Sequence, residues 1–315
     1  MLERLLNFGN AMPGVVSLGL IWGIMAIGLY ITYRILNLSD LTVDGSFCTG
    51  GAVCMLMVAM GQPVWLAMVC AFAAGALAGA VTGILHTLCK IPAILAGILT
   101  QLGLWTVNMI IMGLQQGKLI STLTIPARNS NLMVSAMYLS KALNGSKPII
   151  FYPPLLLGIV TVIIIGVLYW FFGTELGSSL RATGANAAMS RAQGINTNNC
   201  KILGLMISNG IVALSSVMLS HYQGFVDVNM GRGAIVIGLA AVIISQVMFA
   251  RVFRNFALKL TGVAIGAVIY YIVIQIVLWL GLNTNLLKLL SALIVAIFLA
   301  VPHWKGSMKG GRGHA

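Results

Sequence analysis

Long apolar runs separated by short basic segments limit what this chain can form more than any other feature. Of its 315 residues, 59% are hydrophobic and only 7% are charged, whereas soluble domains carry about 25% charged residues. A soluble protein of this size needs a charged surface to stay dispersed, and this sequence lacks the residues to build one. Lipid must therefore cover much of the surface, and we predict an all-α polytopic membrane protein.

Nine transmembrane helices are predicted, because a membrane helix needs about 20 mainly apolar residues. The second apolar run is short for a full crossing, and residues 39–46 before it are polar. A broken or re-entrant helix fits that run better than a straight one. The runs lie near residues 14–33, 47–60, 63–89, 92–113, 151–172, 201–222, 233–250, 261–282 and 286–302.

The basic residues predict the orientation of these helices. Lys and Arg recur in segments 173–200, 251–259 and 303–315. Two predicted crossings separate each segment from the next, so all three share one side, which the positive-inside rule identifies as the cytoplasm. The C-terminus is then cytoplasmic and the N-terminus is outside. The loop 114–150 is also placed outside, despite its four basic residues Lys118, Arg128, Lys141 and Lys147.

Two inverted repeats are predicted within a single transmembrane domain. Crossings one to four run opposite to crossings six to nine, and each set begins with a long helix followed by an acidic, glycine-containing break. Inverted repeats with interrupted helices in matching positions are typical of transporters. The predicted parts are a first repeat at 1–113, an extracytoplasmic loop at 114–150, a connecting helix at 151–172, a cytoplasmic loop at 173–200, a second repeat at 201–302 and a cytoplasmic tail at 303–315.

Glycine recurs at helical spacing in the third predicted crossing. Gly75, Gly79 and Gly83 are four residues apart. Small residues at this spacing let the backbones of membrane helices approach closely. We expect this face of the helix to pack against another helix.

The first break carries two carboxylates. Asp40 and Asp44 lie close to Thr42 and Ser46, and Gly45 suggests that the helix is interrupted there. Ionisable groups at membrane depth are costly and usually line a pathway. The same residues can instead cap a helix, since Asp and Ser accept hydrogen bonds from free backbone N–H groups. Both interpretations stay open for these four polar residues.

The second break, 227–233, contains Asp227, Asn229 and Arg232. Asn229 is a further candidate for the translocation pathway. Arg232 is expected to form an ion pair with Asp227, although it could also contact an acidic partner outside the membrane.

Several classes of function are excluded by missing chemistry. The four histidines have no carboxylate partners at useful spacing, and the five cysteines show no metal-ligand spacing, so we predict no catalytic residues and no metal site. The nucleotide-binding pattern GxxxxGK followed by Ser or Thr is absent. If ATP drives this protein, a second polypeptide must bind it. The net charge of +13 falls mostly between apolar runs, so no nucleic-acid partner is expected.

The loop 173–200 is too polar to cross a membrane. Residues 185–192 are rich in alanine and favour a short helix, and Gly194 is suited to end it. We predict a short cytoplasmic helix that presents a docking surface.

Three separated motifs resemble the permease subunits of bacterial ABC importers, in the branched-chain amino acid and ribose permease family. They are LRATGANAAMSRAQGIN at 180–196, LSDLTVDGSF at 38–47 and NMGRGAIVIGLA at 229–240. The first is similar to the coupling loop of these permeases. Together they point to a sub-branch described as a putative tryptophan/tyrosine transport permease, and the resemblance covers essentially the whole chain.

The resemblance implies a bacterial inner-membrane permease with several partners. Two permease copies, expected to be a homodimer, would surround the pathway, two ATP-binding subunits carrying ATP and Mg would dock on the loops, and an extracytoplasmic solute-binding protein would deliver the solute. The chain itself would hold no cofactor and would not be an enzyme. By position in the motif, the coupling residues are Glu175, Arg181, Gly184, Asn186, Arg191 and Gly194.

The substrate is less well defined than the class of protein. The sub-branch favours an amino acid, in particular an aromatic one, while the wider family also carries sugars and nucleosides. An ion-coupled secondary transporter is a second alternative, but it should have more ionisable groups within its helices than this chain has. A membrane enzyme would need polar groups that converge at one depth, and the sequence shows no such set.

Overall fold

A computed structural model describes residues 2–124, 152–249, 252–253 and 255–279, together with the single residues Leu289, Leu293 and Ala296. Helices form most of this part of the chain. The helices are α1 (Leu2–Tyr30), continued by a π-helical turn (Ile31–Ile35), α2 (Val43–Ala59), α3 (Val64–Thr87), α4 (Ala93–Gly113), α5 (Tyr152–Gly173), α6 (Glu175–Ala185), α7 (Ala187–Ala192), α8 (Thr197–Gln223), α9 (Ala234–Phe249) and α10 (Phe256–Trp279), and the strands are β1 (Thr122–Thr124) and β2 (Phe225–Asp227).

Six helices of the described part are long and apolar enough to cross a membrane. Two shorter apolar helices, α2 and α9, complete the set, and they follow the two predicted breaks. The polytopic all-α fold is therefore confirmed. The ninth predicted crossing, 286–302, lies almost entirely outside the described residues, so the count of nine stays a prediction. The six long spans are Ala11–Ile35, Val64–Thr87, Ala93–Gly113, Pro153–Gly173, Thr197–Gln223 and Phe256–Trp279.

Helices α1 and α8 form the centre of the bundle. In their most apolar windows 78% and 72% of the residues are buried, compared with 22% for α4 and 28% for α5. The peripheral helices instead expose large apolar side chains such as Leu102 on α4 and Val162 on α5. This distribution is expected when lipid covers the outside of the bundle.

The packing around the two central helices follows a common pattern. Helix α8 packs against α2 and α3, while α1 packs against α9 and α10. The short helix also packs against its successor in both halves, α2 on α3 and α9 on α10. Helix α1 thus contacts the second and third helices of the second half, and α8 contacts the second and third helices of the first half. Interlocked repeats would pack in this way. The repeat boundaries themselves stay a prediction.

The glycine-lined face of α3 lies directly on α8. A Cβ atom at Gly75 would stand 2.5 Å from the carbonyl oxygen of Asn209, and one at Gly79 would overlap the carbonyl oxygen of Leu205. Only glycine permits this separation of the two backbones. The expected close packing of this face is therefore confirmed.

The described residues give the bundle two distinct ends. At one end β1 pairs antiparallel with β2, with Leu123 opposite Val226. At the other end Arg34, Arg181 and Lys259 line a single cavity. We call the end with β1 and β2 the strand end, and the end with the cavity the basic end. Residues 122–124 and 225–227 therefore share one end, as the predicted topology requires, and which end faces the cytoplasm stays a prediction.

Candidate functional site

The first break is a seven-residue segment, 36–42, between the π-helical turn and α2. It carries Asp40, which is buried with 5% of its surface exposed. One carboxylate oxygen of Asp40 accepts a hydrogen bond from the backbone N–H of Thr42 at 2.9 Å, and the other accepts from the Asn209 side-chain amide at 2.7 Å. Asp40 thus fixes the turn into α2 and ties it to α8.

Asn209 lies near the middle of the 27-residue helix α8. Its side-chain oxygen accepts a hydrogen bond from the Ser46 hydroxyl at 2.6 Å, so Asp40, Asn209 and Ser46 form one buried chain of hydrogen bonds. A helix of this length extends about 40 Å. Asp40, near the end of the break, therefore lies deep in the bundle and far from either end of α8.

A second buried chain joins three hydroxyl groups. The hydroxyl oxygens of Thr42 and Thr82 are 2.6 Å apart, and Thr82 donates to Thr100 at 2.9 Å. These residues belong to the start of α2 and to α3 and α4. Polar groups buried at membrane depth stabilise helix association when they are paired in this way, and the chain fixes the position at which α2 begins.

Asp44 binds the start of the other interrupted helix. Its two carboxylate oxygens accept hydrogen bonds from the backbone N–H groups of Gly233 and Ile235, each at 3.1 Å. The first N–H groups of a helix have no partners within it and carry partial positive charge. A carboxylate in α2 therefore caps α9, and the two breaks meet through this contact.

One detail of the predicted first break is wrong. Helix α2 begins at Val43, so the interruption precedes Gly45, which lies within the helix. A Cβ atom at Gly45 would stand 3.2 Å from the Cα atom of Gln101 on α4, so α2 and α4 pack closely at this position. Asp40 lies before the helix and Asp44 lies within it. Both carboxylates act as hydrogen-bond acceptors for backbone N–H groups, one for its own turn and one for a different helix.

The second break combines the strand β2 with turns at 228–233. Asp227 accepts hydrogen bonds from the Thr122 hydroxyl at 2.7 Å and from the backbone N–H of Asn229 at 2.7 Å. Partial burial raises the pKa of Asp227, but these hydrogen bonds and the charge of Arg232 outweigh that effect, so the pKa lies below its ordinary value of 3.8. Asn229 is exposed beside this turn.

Arg232 does not form the expected contact ion pair. Its guanidinium carbon lies 4.3 Å from the ring centroid of Trp105 on α4, a cation–π geometry. The hydrogen bonds described for Asp227 go to Thr122 and Asn229 instead. Arg232 and Gly233 are exposed and Asp44 is partly exposed, so a charged patch opens on the surface of the bundle next to Trp105.

The predicted loop 173–200 contains two helices rather than one. Thr174 caps α6, because its hydroxyl oxygen accepts a hydrogen bond from the Gly177 N–H. Asn186 caps α7 by accepting from the N–H groups of Ala188 and Met189, each at 3.1 Å. The predicted short helix therefore begins at Ala187 rather than at residue 185, since Asn186 separates it from α6.

Gly194 ends α7 as predicted. Its φ is +82°, a conformation that glycine adopts without steric cost. The N–H groups of Gly194 and Ile195 donate to the carbonyl oxygens of Arg191 and Ser190, each at 3.0 Å. This pair of hydrogen bonds is the Schellman arrangement that closes a helix.

The predicted coupling residues lie at the basic end, but they face different surroundings. Glu175 and Arg191 are exposed. Arg181 donates to the carbonyl oxygen of Phe172 at 2.7 Å, which holds its guanidinium against the end of α5. A Cβ atom at Gly184 would overlap the carbonyl oxygen of Ile35, so this glycine joins α6 to the π-helical turn. The α6–α7 unit is thus anchored on one side and exposed on the other.

Sequence reasoning missed Asn209, Thr82, Thr100 and Trp105. The first three are polar residues within otherwise apolar runs, a pattern that marks buried polar contacts at membrane depth. That signal could have identified them, although not their partners. Nothing in the sequence indicated that Trp105 would lie beneath Arg232.

Comparisons with known proteins match this sequence to a family. The family model described as branched-chain amino acid transport system / permease component matches residues 12–301. The tyrosine transport system permease protein of Clostridioides difficile (strain R20291) is 35% identical over 95% of this chain and 94% of its own length. An uncharacterized protein of Rickettsia prowazekii (strain Madrid E) is 33% identical over 88% of this chain and 92% of its own length.

A more distant relative belongs to a different transport system. The autoinducer 2 import system permease protein LsrC of Yersinia pestis (strain Pestoides F) is 30% identical over 78% of this chain and 62% of its own length. No solved structure matches the chain.

Proposed function

This chain belongs to the family of branched-chain amino acid transport system permease components, and we propose that the solute it carries is an aromatic amino acid such as tyrosine. It is the membrane-spanning permease subunit of an ABC importer for a small solute. The amino acid is favoured by the Clostridioides difficile relative, which matches 95% of this chain and whose name gives tyrosine transport. A sugar or nucleoside is the alternative solute.

The observation that carries the proposed pathway is the charged patch at the two breaks. Asp44, at the start of α2, and Arg232, before α9, both reach the surface beside Trp105. Charged groups at membrane depth are unfavourable against lipid and normally face water or protein. We assign this patch, together with Asn229, to the solute pathway, while Asp40, Thr42 and Ser46 support it from the buried side.

The chemistry of the patch suits a zwitterionic amino acid. The Arg232 guanidinium keeps donors that can bind a carboxylate, and Asp44 carries the opposite charge. The indole of Trp105 offers an aromatic face next to them. A second copy of the permease would cover this patch from the lipid side, so we assign the homodimer interface to the same face of the bundle.

The basic end is the proposed docking site for the ATP-binding subunits. Permeases of this family work with an ATP-binding subunit and a solute-binding protein in general. The exposed side of α6–α7, with Glu175, Asn186 and Arg191, would meet the ATPase, which would carry ATP and Mg. This assignment makes the basic end cytoplasmic, in agreement with the positive-inside rule. It also places the permease in the bacterial inner membrane.

Uptake and co-purification test the proposal together. Cells expressing the importer should accumulate labelled tyrosine, and unlabelled phenylalanine or tryptophan should compete more strongly than ribose or a nucleoside. Competition by ribose alone would overturn the aromatic amino acid.

The tagged chain should also retain its ATPase in mild detergent. Arg191→Glu should lose it, whereas Lys90→Glu, which changes an exposed basic residue outside α6–α7, should not. Equal retention by both variants would contradict docking on α7.

A further inference from the structure

A cavity at the basic end has a composition that the transport function does not require. It has a volume of about 400 Å³ and lies between the π-helical turn, α6 and α10. Arg34, Arg181 and Lys259 line it, one from each of these elements. We propose that this cavity binds the phosphate headgroup of an anionic phospholipid.

The charges in the cavity are unbalanced. No carboxylate lines it among the residues that the structure describes. Three of the acidic residues have hydrogen-bond partners elsewhere, Asp40 and Asp44 at the first break and Asp227 at the second. Three cations around one space repel each other unless an anion lies between them. A phosphate group would bring them together and supply several acceptor oxygens for their N–H groups.

A neutral donor points to the same ligand. An adjoining recess of about 230 Å³ shares Arg34 and Lys259 with the cavity and is also lined by Gln246 of α9. The side-chain nitrogen of Gln246 is buried and has no hydrogen-bond partner among the described residues. A buried donor without a partner is unfavourable, and a phosphate oxygen or a glycerol hydroxyl in the recess would satisfy it.

The surroundings favour a lipid over a soluble phosphate. A further recess shares Arg181 with the cavity and leads to Tyr169 and Trp170 of α5, which are 57% and 72% exposed. Amphipathic aromatic side chains of this kind are enriched where membrane meets water. Basic pockets between transmembrane helices at that level are suited to lipid headgroups.

An apolar groove continues from Trp170. It has a volume of about 550 Å³, is lined by Trp170, by other side chains of α5 and by apolar side chains of α3 and α8, and presents no polar surface. Because α5 packs mainly on α1 and α10, this groove separates it from α3 and α8. An acyl chain fits such a groove, so headgroup and chain would occupy adjoining sites.

Native mass spectrometry of the full-length permease can test the lipid site. Detergent-purified protein is titrated with phosphatidylglycerol, with phosphatidylcholine and, separately, with inorganic phosphate. The variant combines Arg34→Gln with Lys259→Gln. The matched control combines Lys90→Gln with Lys201→Gln and removes two positive charges from the same end outside the cavity. Arg181 is left unchanged because it also binds the end of α5.

We expect wild type and control to bind phosphatidylglycerol in preference to phosphatidylcholine. The Arg34→Gln/Lys259→Gln variant should lose about tenfold or more of that affinity, since each basic residue near a membrane surface contributes measurably to anionic lipid binding. Equal affinity of the two double variants would overturn the proposal. Binding of inorganic phosphate without phosphatidylglycerol would assign the cavity to a soluble anion. If the Arg34→Gln/Lys259→Gln variant bound lipid normally but lost the ATPase, the cavity would be assigned to the partner subunit. Each of these last two results would also overturn the lipid site.

Discussion

The two breaks look alike in sequence but are built differently. In the first, Asp40 is buried and bonded to α8 and to its own turn. In the second, Asp227 is only partly buried and is bonded to a strand and to the following turn. Asp44 connects them, since it belongs to α2 and caps α9. The first break is thus anchored in the core, while the second is held by strand β1, by its own turn and by Asp44 of α2.

This difference suggests a division of roles. A buried and paired carboxylate such as Asp40 resists change, because opening the contact would leave polar groups unpaired in a medium without water. A segment held by a few surface hydrogen bonds can open at lower cost. We therefore expect the start of α9 to move during transport while the start of α2 stays fixed, and Asp44 to be the contact at which they separate.

The largest effect on stability is expected for Asp40→Ala. It would remove the acceptor of the Thr42 N–H and of one N–H of the Asn209 side-chain amide, whose nitrogen also donates to the Leu205 carbonyl oxygen. Each buried donor left unsatisfied costs about 1–3 kcal/mol. Thermal unfolding in mild detergent should show a large decrease in Tm. Glu175→Ala, which removes an exposed carboxylate, should leave Tm nearly unchanged. Similar Tm values for the two variants would mean that the first break is not anchored as described.

A smaller effect is expected for Gly231→Ala. A Cβ atom there would overlap the backbone carbonyl oxygen of Asp44, so the start of α9 would have to move away from α2, at a cost of about 1–3 kcal/mol. Gly233→Ala is the matched control within the same break. It has no atom within 4 Å of a Cβ but a φ of +84°, so only about 1 kcal/mol of backbone strain is expected. The decrease in Tm should be greater for Gly231→Ala, and the reverse order would contradict the contact between the breaks.

Asp44→Asn should affect transport more than stability. It keeps the side chain's shape but removes the charge and one of two acceptors, which costs about 1–2 kcal/mol. Solute uptake should fall at least tenfold, while the amount of folded protein in the membrane stays within about twofold. Asp44→Glu retains the charge and should recover part of the activity. Wild-type uptake by Asp44→Asn would reduce this residue to a replaceable cap.

The smallest effect is expected for Asp227→Asn, and it should depend on pH. Because the folded-state pKa is lowered, the stabilising contribution of Asp227 is complete above its ordinary pKa of 3.8 and is lost as pH falls through the lower folded-state value. At pH 7 the variant should therefore unfold at a slightly lower temperature than wild type. The difference should disappear as the pH falls below 3.8. A difference that persists at lower pH would mean that the charge of Asp227 is not what stabilises the turn.

Much of the fold could be predicted because lipid imposes simple rules. Apolar runs located the helices, and Gly75 and Gly79 marked the face of α3 that lies on α8, since close packing needs small residues at that spacing. Gly194 marked the end of α7 because few other residues accept a positive φ. These signals are local, so the sequence contains them directly.

The contacts within the site could not be predicted, because they join distant parts of the chain. Asp44 follows a helix-starting pattern, yet it caps α9, which begins 190 residues later. Arg232 has an acidic neighbour in sequence at Asp227 but lies over Trp105. Local reasoning assigned each side chain to its nearest partner, whereas the bundle brings separate helices to the same depth and changes those partners.

Water accessibility at the start of α9 tests most directly the claim that the meeting point of the two breaks lines the solute pathway. Val236→Cys lies one turn after Gly233 on an exposed face of α9 and is compared with Val162→Cys on the lipid-facing surface of α5. The wild-type side chain of Val236 is 42% exposed and that of Val162 is 67% exposed. Cys89, the exposed native cysteine, is replaced by serine in both. We predict that a charged thiol reagent labels Val236→Cys in native membranes, and does so less when solute is present, while Val162→Cys stays unlabelled. Equal lack of labelling at the two positions, with both reactive toward a membrane-soluble maleimide, would show that this surface faces lipid and would contradict the account.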